Sequence, residues 1–496
     1  MPFTYTYPPF VNTLDTDDAE AVGVKQFADF LEEHGAEFDA HSAETFVKGR
    51  EGFTNSIWRY RAHPEELYKY TDIRQALTPE YGINMRRRLL VEEPSDHYRL
   101  GISGLNAHTI FVVNDVIVNT NKPGDKRQSL FDSIVHRLQP DFAVPGDKDQ
   151  PYIGSIADVC ESFRKGESFM KLMMEKYLFR SGAFRDDDPL TWLNSMMGQD
   201  GIFIYIPENG KFPIPIQIIN VSDSQTPMMS NRRIVVLMGH HAEADIVICD
   251  HSMGETKYLT TQQVNVFQCY GSRLGLNSIE DTSHHTTRFS NFTVFQEEES
   301  RLQGSIVTLR CGLSRNTVRV RQWGNGVETN ISGAAIADAE EHVDNYVRIE
   351  HGREECTSDM LFKYVMSGRS KGIFTGISYV ERGSAKIASQ QQHQSLVLSP
   401  DARVHSQPVL EIYADDVKCS HGSTIGKLDE AALFYMRQRG IPEGEARGLL
   451  QHAFVNDVLQ RIQLQDLRDR LSSLVEKRFR AGSAQCNDCL IKELCQ

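Results

Sequence analysis

From residue 202 to residue 413 short runs of alternating apolar and polar residues recur. IFIYI from Ile202, IVVLM from Ile234, DIVIC from Asp245, VNVF from Val264 and NFTVF from Asn291 are rich in β-branched residues and phenylalanine. SIVTL from Ser305, TVRV from Thr317, YVRI from Tyr346 and LEIY from Leu410 continue the series. Successive side chains of an extended strand point to opposite faces, so this texture reads as half-buried strands. Polar turns of a few residues separate the runs, and helical periodicity is scarce. Such regular spacing means a sandwich, a barrel or a β-solenoid, and periodicity alone does not choose among them.

The flanks read differently. Asp18 to His34 carries Val22, Phe27, Phe30 and Leu31 as a helical stripe. Ala157 to Phe179 carries Cys160, Phe163, Phe169, Leu172, Met173 and Tyr177, a pattern of core packing rather than a cofactor box. Between them IFVVNDVIVN at 110–119 reads as a hairpin around Asn114-Asp115. After Gly426 a helix is expected over Asp429 to Arg439, with Gly440 as its stop. Pro442 opens a second, with Leu449, Leu450, Ala453, Phe454, Val458 and Ile462 on one side. A third runs from Leu464 to Phe479 through Leu467, Leu471, Leu474 and Val475. The division expected is a mixed helical domain over 1–198, a β domain over 199–426 and a helical subdomain over 427–496.

A chain of 496 residues suggests two to four domains. With 40% hydrophobic and 24% charged residues it is globular rather than disordered. A net charge of −14 without a Lys/Arg cluster argues against nucleic acid and against a membrane surface as partners. No run of 18 apolar residues is present, and MPFTYTYPPF lacks the basic and apolar regions of a secretory signal. The nine cysteines form no disulfide-like framework. Reduced thiols in the cytoplasm are therefore expected.

Motifs for independent chemistry are absent. Gly422 to Lys427 mimics part of a phosphate-binding loop, but its glycine spacing is short and Leu428 stands where Ser or Thr is required. Gly324-Asn325-Gly326 lacks the third glycine of a dinucleotide fingerprint. H-E-x-x-H does not occur, and the one G-x-S-x-G match, Gly368 to Gly372, leads into another apolar–polar alternating run rather than a helix, so zinc-peptidase and hydrolase-elbow readings lack support. His240-His241 with His251, and His284-His285, read as solvated turn residues. His342 and Asp344, near His351, read as ladder hydrogen bonding inside the β domain. Cys486, Cys489 and Cys495 form a lone C-x2-C-x5-C tail, a weak chelating signal.

Cys419 and His421 are more informative. Residues i and i+2 of a strand face the same side, so thiol and imidazole address one partner or one ion. That pair suits zinc, iron or an iron–sulfur species. The alternative is a small buried cysteine beside a satisfied histidine.

Pro408 to Phe454 reads PVLEIYADDVKCSHGSTIGKLDEAALFYMRQRGIPEGEARGLLQHAF. This run resembles the C-terminal signature of the SufB/SufD family, the scaffolds of SUF iron–sulfur cluster assembly, and within it the SufD members. ELYKYTDI from Glu66, DGIFIYIPENGKFPIPIQII from Asp200, His342-Val343-Asp344-Asn345 and Gly372-Ile373-Phe374-Thr375-Gly376 are also similar. The resemblance spans roughly residues 187 to 460. It implies a right-handed parallel β-helix between helical flanks, hence a mainly β fold with flanking α. It further implies a non-catalytic cytoplasmic scaffold that pairs with a SufB-like paralogue. A SufC-like ATPase would dock on the C-terminal helices, at Phe434, Tyr435, Arg439 and Phe454. His421 and Cys419 would lie at the paralogue interface and act on iron or an iron–sulfur cluster held transiently there, with no nucleotide bound by this chain. SufB members carry a sulfur-accepting cysteine where Ala402 stands here, and two glutamates where Ser420 and Gly422 flank His421. Two competing readings remain: a carbohydrate-active β-helix enzyme, and a metal-free structural homodimer.

Overall fold

A computed structural model describes residues 5–6, 68–73, 76, 81–83, 105–118, 149–156, 159, 188–198 and 200–480. The expected helical stripes at 18–34 and 157–179 and the cysteine tail at 486–495 lie outside the described residues.

Two short strands, β1 (Tyr5–Thr6) and β2 (Gly82–Ile83), precede a hairpin of β3 (His108–Val113) and β4 (Val116–Val118). Asn114 and Asp115 turn that hairpin at φ 48° and 66°, the left-handed pair a two-residue turn of this kind needs. Strand β5 (Tyr152–Ser155) and helix α1 (Pro189–Met197) follow. Asp188 caps α1 by accepting from the Leu190 N–H.

The repeating part opens with β6 (Ile202–Ile206), β7 (Ile216–Ser222), β8 (Met228–Met238) and β9 (Glu243–Ser252). It continues with β10 (Tyr258–Gln268), β11 (Arg273–Asp281), β12 (Thr286–Gln296) and β13 (Arg301–Arg310). Next come β14 (Leu313–Gln322), β15 (Glu328–Ala337), β16 (His342–His351) and β17 (Thr357–Met366). Strands β18 (Lys371–Val380), β19 (Ile387–Val397), β20 (Arg403–Ile412) and β21 (Val417–Gly426) close it. Helices α2 (Glu430–Gln438), α3 (Glu443–Leu459) and α4 (Gln465–Arg480) end the described chain.

From β7 onward consecutive strands alternate between two parallel sheets, so sheet neighbours are every second strand. That is a β-solenoid of about eight coils. Coils stack in register: Met228 pairs with Tyr258, which pairs with Thr286. Like positions therefore superpose, and one inward face becomes continuous rows of Ile, Val, Leu and Phe. Corners are tight. At Gly368, φ is 59° and an added Cβ would come 2.5 Å from the Ala339 amide of the coil below, so glycine alone fits.

The solenoid interior is not wholly apolar. Arg232 and Arg288 both reach the buried Asp250 carboxylate, at 2.9 and 2.7 Å, and Arg288 lies 3.5 Å from Glu280. Asn220, Ser278 and Asn316 complete the bonding of this group. Burial opposes the charge of Asp250, yet Arg288 and Arg232 outweigh it and hold the carboxyl below its usual range. Glu280 is pushed up by burial to about 7, against the pull of Arg288.

Helices α3 and α4 cover the outer face of the β7–β21 sheet. Val455, Val458, Leu459, Leu471, Leu474 and Val475 pack on Ile279, Leu309, Ile336 and Leu361. Ion pairs Lys363–Asp457 and Arg461–Asp359 fix α3, and Arg478 fixes α4 to the buried Glu341. Helices α2 and α4 lie within a residue of where capping and periodicity predict them, whereas α3 ends at Leu459 and leaves Ile462, expected on its stripe, beyond it. Asp429 caps α2, and Gly440 follows it at φ 88°.

Candidate functional site: the open terminal coil

Strands β20 and β21 are the last of their sheets, so among the described residues no further coil covers them. Register places Ser389 beside Cys419, Gln391 beside His421 and His393 beside Ser423. Each pair ends an inward-facing row. Behind His421 lie Gln391, Met360, Ile331, Gly304, Leu276, Ile246 and Ile216. Behind Cys419 lie Ser389, Ser358, Thr329, Leu302, Leu274 and Ala244. Behind Ser423 lie His393, Phe362, Gly333, Ile306, Ser278 and Ile248. The rows turn from mostly apolar to polar in the final coils.

Cys419 and His421 thus share one face, as the i,i+2 spacing predicts. The face is that of the solenoid interior, laid open at the end. His421 is exposed. Cys419 is half-buried beside Val417 and Ala414, against Val327, Cys356, Val380 and Ile387. The other free cysteines among the described residues are buried. Partial burial raises the Cys419 thiol, with the Ser389 backbone hydrogen bond working the other way. Among the described residues no three His, Cys, Asp or Glu converge as metal ligands. A thiol and an imidazole make an incomplete set that a second chain can finish.

The floor of the site is polar and enclosed. Ser389, Gln391, His393 and Ser395 alternate along β19 and are all buried. Gln391 Nε2 donates to the Val409 carbonyl over 2.9 Å. Gly376 opposite leaves room for this side chain, since an added Cβ would stand 2.5 Å from its Oε1. His393 bonds Ser406 and Ser395, and burial pushes its imidazole down to about 3. At the rim Ile412 and Ile425 are 38% and 50% exposed.

Other candidates separate. His240, His241, His284 and His285 lie in turns, as expected. His284 pairs with Glu341 at 3.2 Å and His285 with Glu255 at 3.1 Å. His251 does not: it sits in β9, and burial lowers its pKa. His342 and Asp344 are also placed differently. Val343 and Val347 take the inward positions of β16, so His342 and Asp344 face outward beneath the segment at 68–73. Thr71 bonds both, and Asp344 pairs with Arg315. Gly422 to Gly426 is extended strand rather than a loop before a helix, so it offers no phosphate cradle.

On the C-terminal helices, Phe434 and Tyr435 are 61% and 59% exposed, and Leu449 joins them at 40%. Arg439 lies 5.1 Å over the Tyr435 ring and donates to its hydroxyl at 3.0 Å. Phe454 departs from this group. It is half-buried against the solenoid, with the Lys363 ammonium 4.7 Å from its ring. It anchors α3 because the solenoid face of that helix passes through Val455, Val458 and Leu459.

Sequence reasoning missed Gln391, His393, Ser406 and Ser423. The one signal available was IASQQQHQSLV, where glutamines, a histidine and serines occupy inward positions that elsewhere hold aliphatics.

Fold and site together define a β-solenoid that carries a thiol and an imidazole at an open end. The chain matches the model of the SUF system FeS cluster assembly SufBD core domain over residues 219–454. It matches the SufBD protein N-terminal region over 22–145 and 146–218. It is 24% identical over 311 residues to the iron–sulfur cluster assembly protein SufD of Bacillus subtilis, covering 62% of this chain and 71% of that protein. With an iron–sulfur cluster assembly SufBD family protein of Synechocystis it shares 27% over 333 residues, 65% of this chain and 73% of the relative. The SufD of Escherichia coli is 28% identical over 201 residues, 40% of this chain and 47% of that protein. The chain belongs to the SufB/SufD family of SUF iron–sulfur cluster assembly proteins. That family displaces the carbohydrate-active reading.

Proposed function

We propose that this chain is a SufD-type, non-catalytic scaffold subunit, and that its terminal coil joins the terminal coil of a SufB-like paralogue. The observation that carries the reading is the outermost β21, with Cys419 and His421 on one open face and, among the described residues, no third ligand beside them. Two uncovered sheet edges favour a second solenoid as the partner, because edge strands leave backbone groups unpaired. Exposed Ile412 and Ile425 add an apolar rim. A nascent cluster or iron ion is cargo at that junction, with ligands from both chains. Ala402, buried at the start of β20, has no sulfur chemistry, which favours the SufD side of the family.

The exposed Phe434, Tyr435, Arg439 and Leu449 form the docking face for a SufC-like ATPase, while Phe454 ties α3 to the solenoid and transmits its motion. The division at 198/199 and 426/427, a cytoplasmic location and self-pairing in the absence of partners belong to the same reading. Among the described residues no helix is long and apolar enough to cross a membrane.

Co-expression with the SufB-like and SufC-like chains of the same genome, then size exclusion with mass determination, tests the assembly. A ternary complex that loses the ATPase on deletion of residues 427–496 is expected. A chain that stays alone beside both partners contradicts the reading. His421→Ala should retain the complex but stop cluster assembly in cells, and normal assembly by that variant removes the role given to His421.

A further inference from the structure

A hydrogen-bonded chain runs from the solenoid interior to the mouth of the terminal coil. His393 is fully enclosed, stacked on Phe374 with centroids 4.8 Å apart and met edge-on by Tyr364 at 4.7 Å. Its Nδ1 lies 2.8 Å from Ser406 Oγ, and its Nε2 lies 3.2 Å from Ser395 Oγ. The exposed Ser423 donates to Ser406 Oγ over 2.7 Å.

A hydroxyl has one proton and two lone pairs, and a neutral imidazole has one donor and one acceptor. Ser423 gives its proton to Ser406. Ser406 Oγ and His393 Nδ1 share the next bond, and His393 Nε2 and Ser395 Oγ the one after, with donor and acceptor set by the imidazole tautomer. Because Ser423 gives its proton inward, its Oγ presents lone pairs to the mouth. Ser423 follows Cys419 and His421 at the next same-facing position of β21.

We propose that Ser423 is a third residue of the terminal-coil site, accepting a hydrogen bond from a water ligand of a divalent metal cation held by Cys419 and His421. His393 is the positioning residue that holds Ser406, and through it the Ser423 hydroxyl, in place. The proposal rests on the reading of Cys419 and His421 given under Proposed function. A ring stacked between Phe374 and Tyr364 in a row that continues through Phe362 needs no nitrogen for packing. A buried polar group costs free energy unless bonded. Here both nitrogens are bonded, in a chain that ends at the mouth. Partners that orient the atoms around a metal contribute to its affinity. A plain staple between β20 and β21 would contribute to stability and leave affinity unchanged.

The test is titration of the full chain, reduced and anaerobic, with Co(II) alone, followed by thiolate-to-cobalt absorption, with Cys486→Ser, Cys489→Ser and Cys495→Ser present in every protein compared, the wild-type site included, so that the tail thiols add no band. The wild type should show the band, and Cys419→Ser should lose it. Ser423→Ala should weaken affinity about 10-fold, and Ser423→Thr, which keeps the hydroxyl, should restore it. His393→Phe should weaken binding as Ser423→Ala does. Should that variant fail to fold, the exposed Ser423 variants carry the test by themselves. Wild-type affinity in Ser423→Ala overturns the proposal and leaves the Cys419/His421 reading standing. Wild-type affinity in a folded His393→Phe overturns the positioning role. A band that survives Cys419→Ser overturns the reading and the proposal together, and no band in the wild type overturns the proposal while leaving a site completed by the partner's ligands.

Discussion

The coils around β9 to β12 and the coil that ends at β21 are built by the same stacking, yet one is sealed and the other open. In the first, Asp250, Arg232, Arg288 and Glu280 face inward and find their partners within this chain. In the second, Cys419 and His421 face the same way, but no coil among the described residues follows to cover them. A polar side chain on an inward row is structural when another coil follows it and available for chemistry when none does. Position along the stack, rather than residue type, separates the two roles.

The contrast can be broken most forcefully in the sealed region. Asp250→Ala leaves two enclosed guanidiniums without their carboxylate and should destabilise the fold by about 3–5 kcal/mol. A fall in the urea midpoint at unchanged slope would report this. An equally large loss from His421→Ala would erase the contrast.

The pH dependence of stability is the next largest effect. Burial raises Glu280 from 4.5 to about 7, so the folded chain holds a proton that the unfolded chain releases. Its contribution is complete below about pH 4.5 and is lost as pH rises through about 7, amounting to roughly 3 kcal/mol. Glu280→Gln should flatten that part of the stability–pH curve. A slope unchanged in the variant would assign it to other groups.

Between the two regions lies the clamp of the helical subdomain. Glu341 is enclosed and bonds Arg478, His284 and the Asp338 amide. Arg478→Ala should weaken the docking of α4 by about 1–3 kcal/mol. Hydrogen exchange should quicken in residues 465–480 first, and uniform quickening across the solenoid would show that the helices do not open separately. Smallest is the effect at the open end. His421→Ala and Ser423→Ala should change stability by no more than about 0.5 kcal/mol, as surface substitutions do, and thermal denaturation would show it.

The alternating runs announced strands, the hairpin at Asn114-Asp115 and the caps at Asp429 and Gly440 announced their turns, and the i,i+2 spacing put Cys419 and His421 on one face. Strands such as β19 and β15 were not legible. β19 fills its inward positions with Ser, Gln and His, and β15 fills its own with Thr329, Gly333, Ala335 and Ala337 around the single Ile331, so neither shows the expected apolar alternation. His342 and Asp344 were assigned to the interior because a strand sequence gives two faces without saying which is covered. Here the segment at 68–73 covers the outer one.

The sequence by itself determined the local elements, because φ/ψ preferences, capping and side-chain period are properties of a few neighbouring residues. Its C-terminal signature also determined the family. Only the tertiary structure decided which polar residues are sealed and which open. That depends on the register of strands about one coil apart, and on where the stack ends. His393 and Ser423 meet through Ser406 because parallel strands superpose like positions, a relation between coils that no short window of sequence contains.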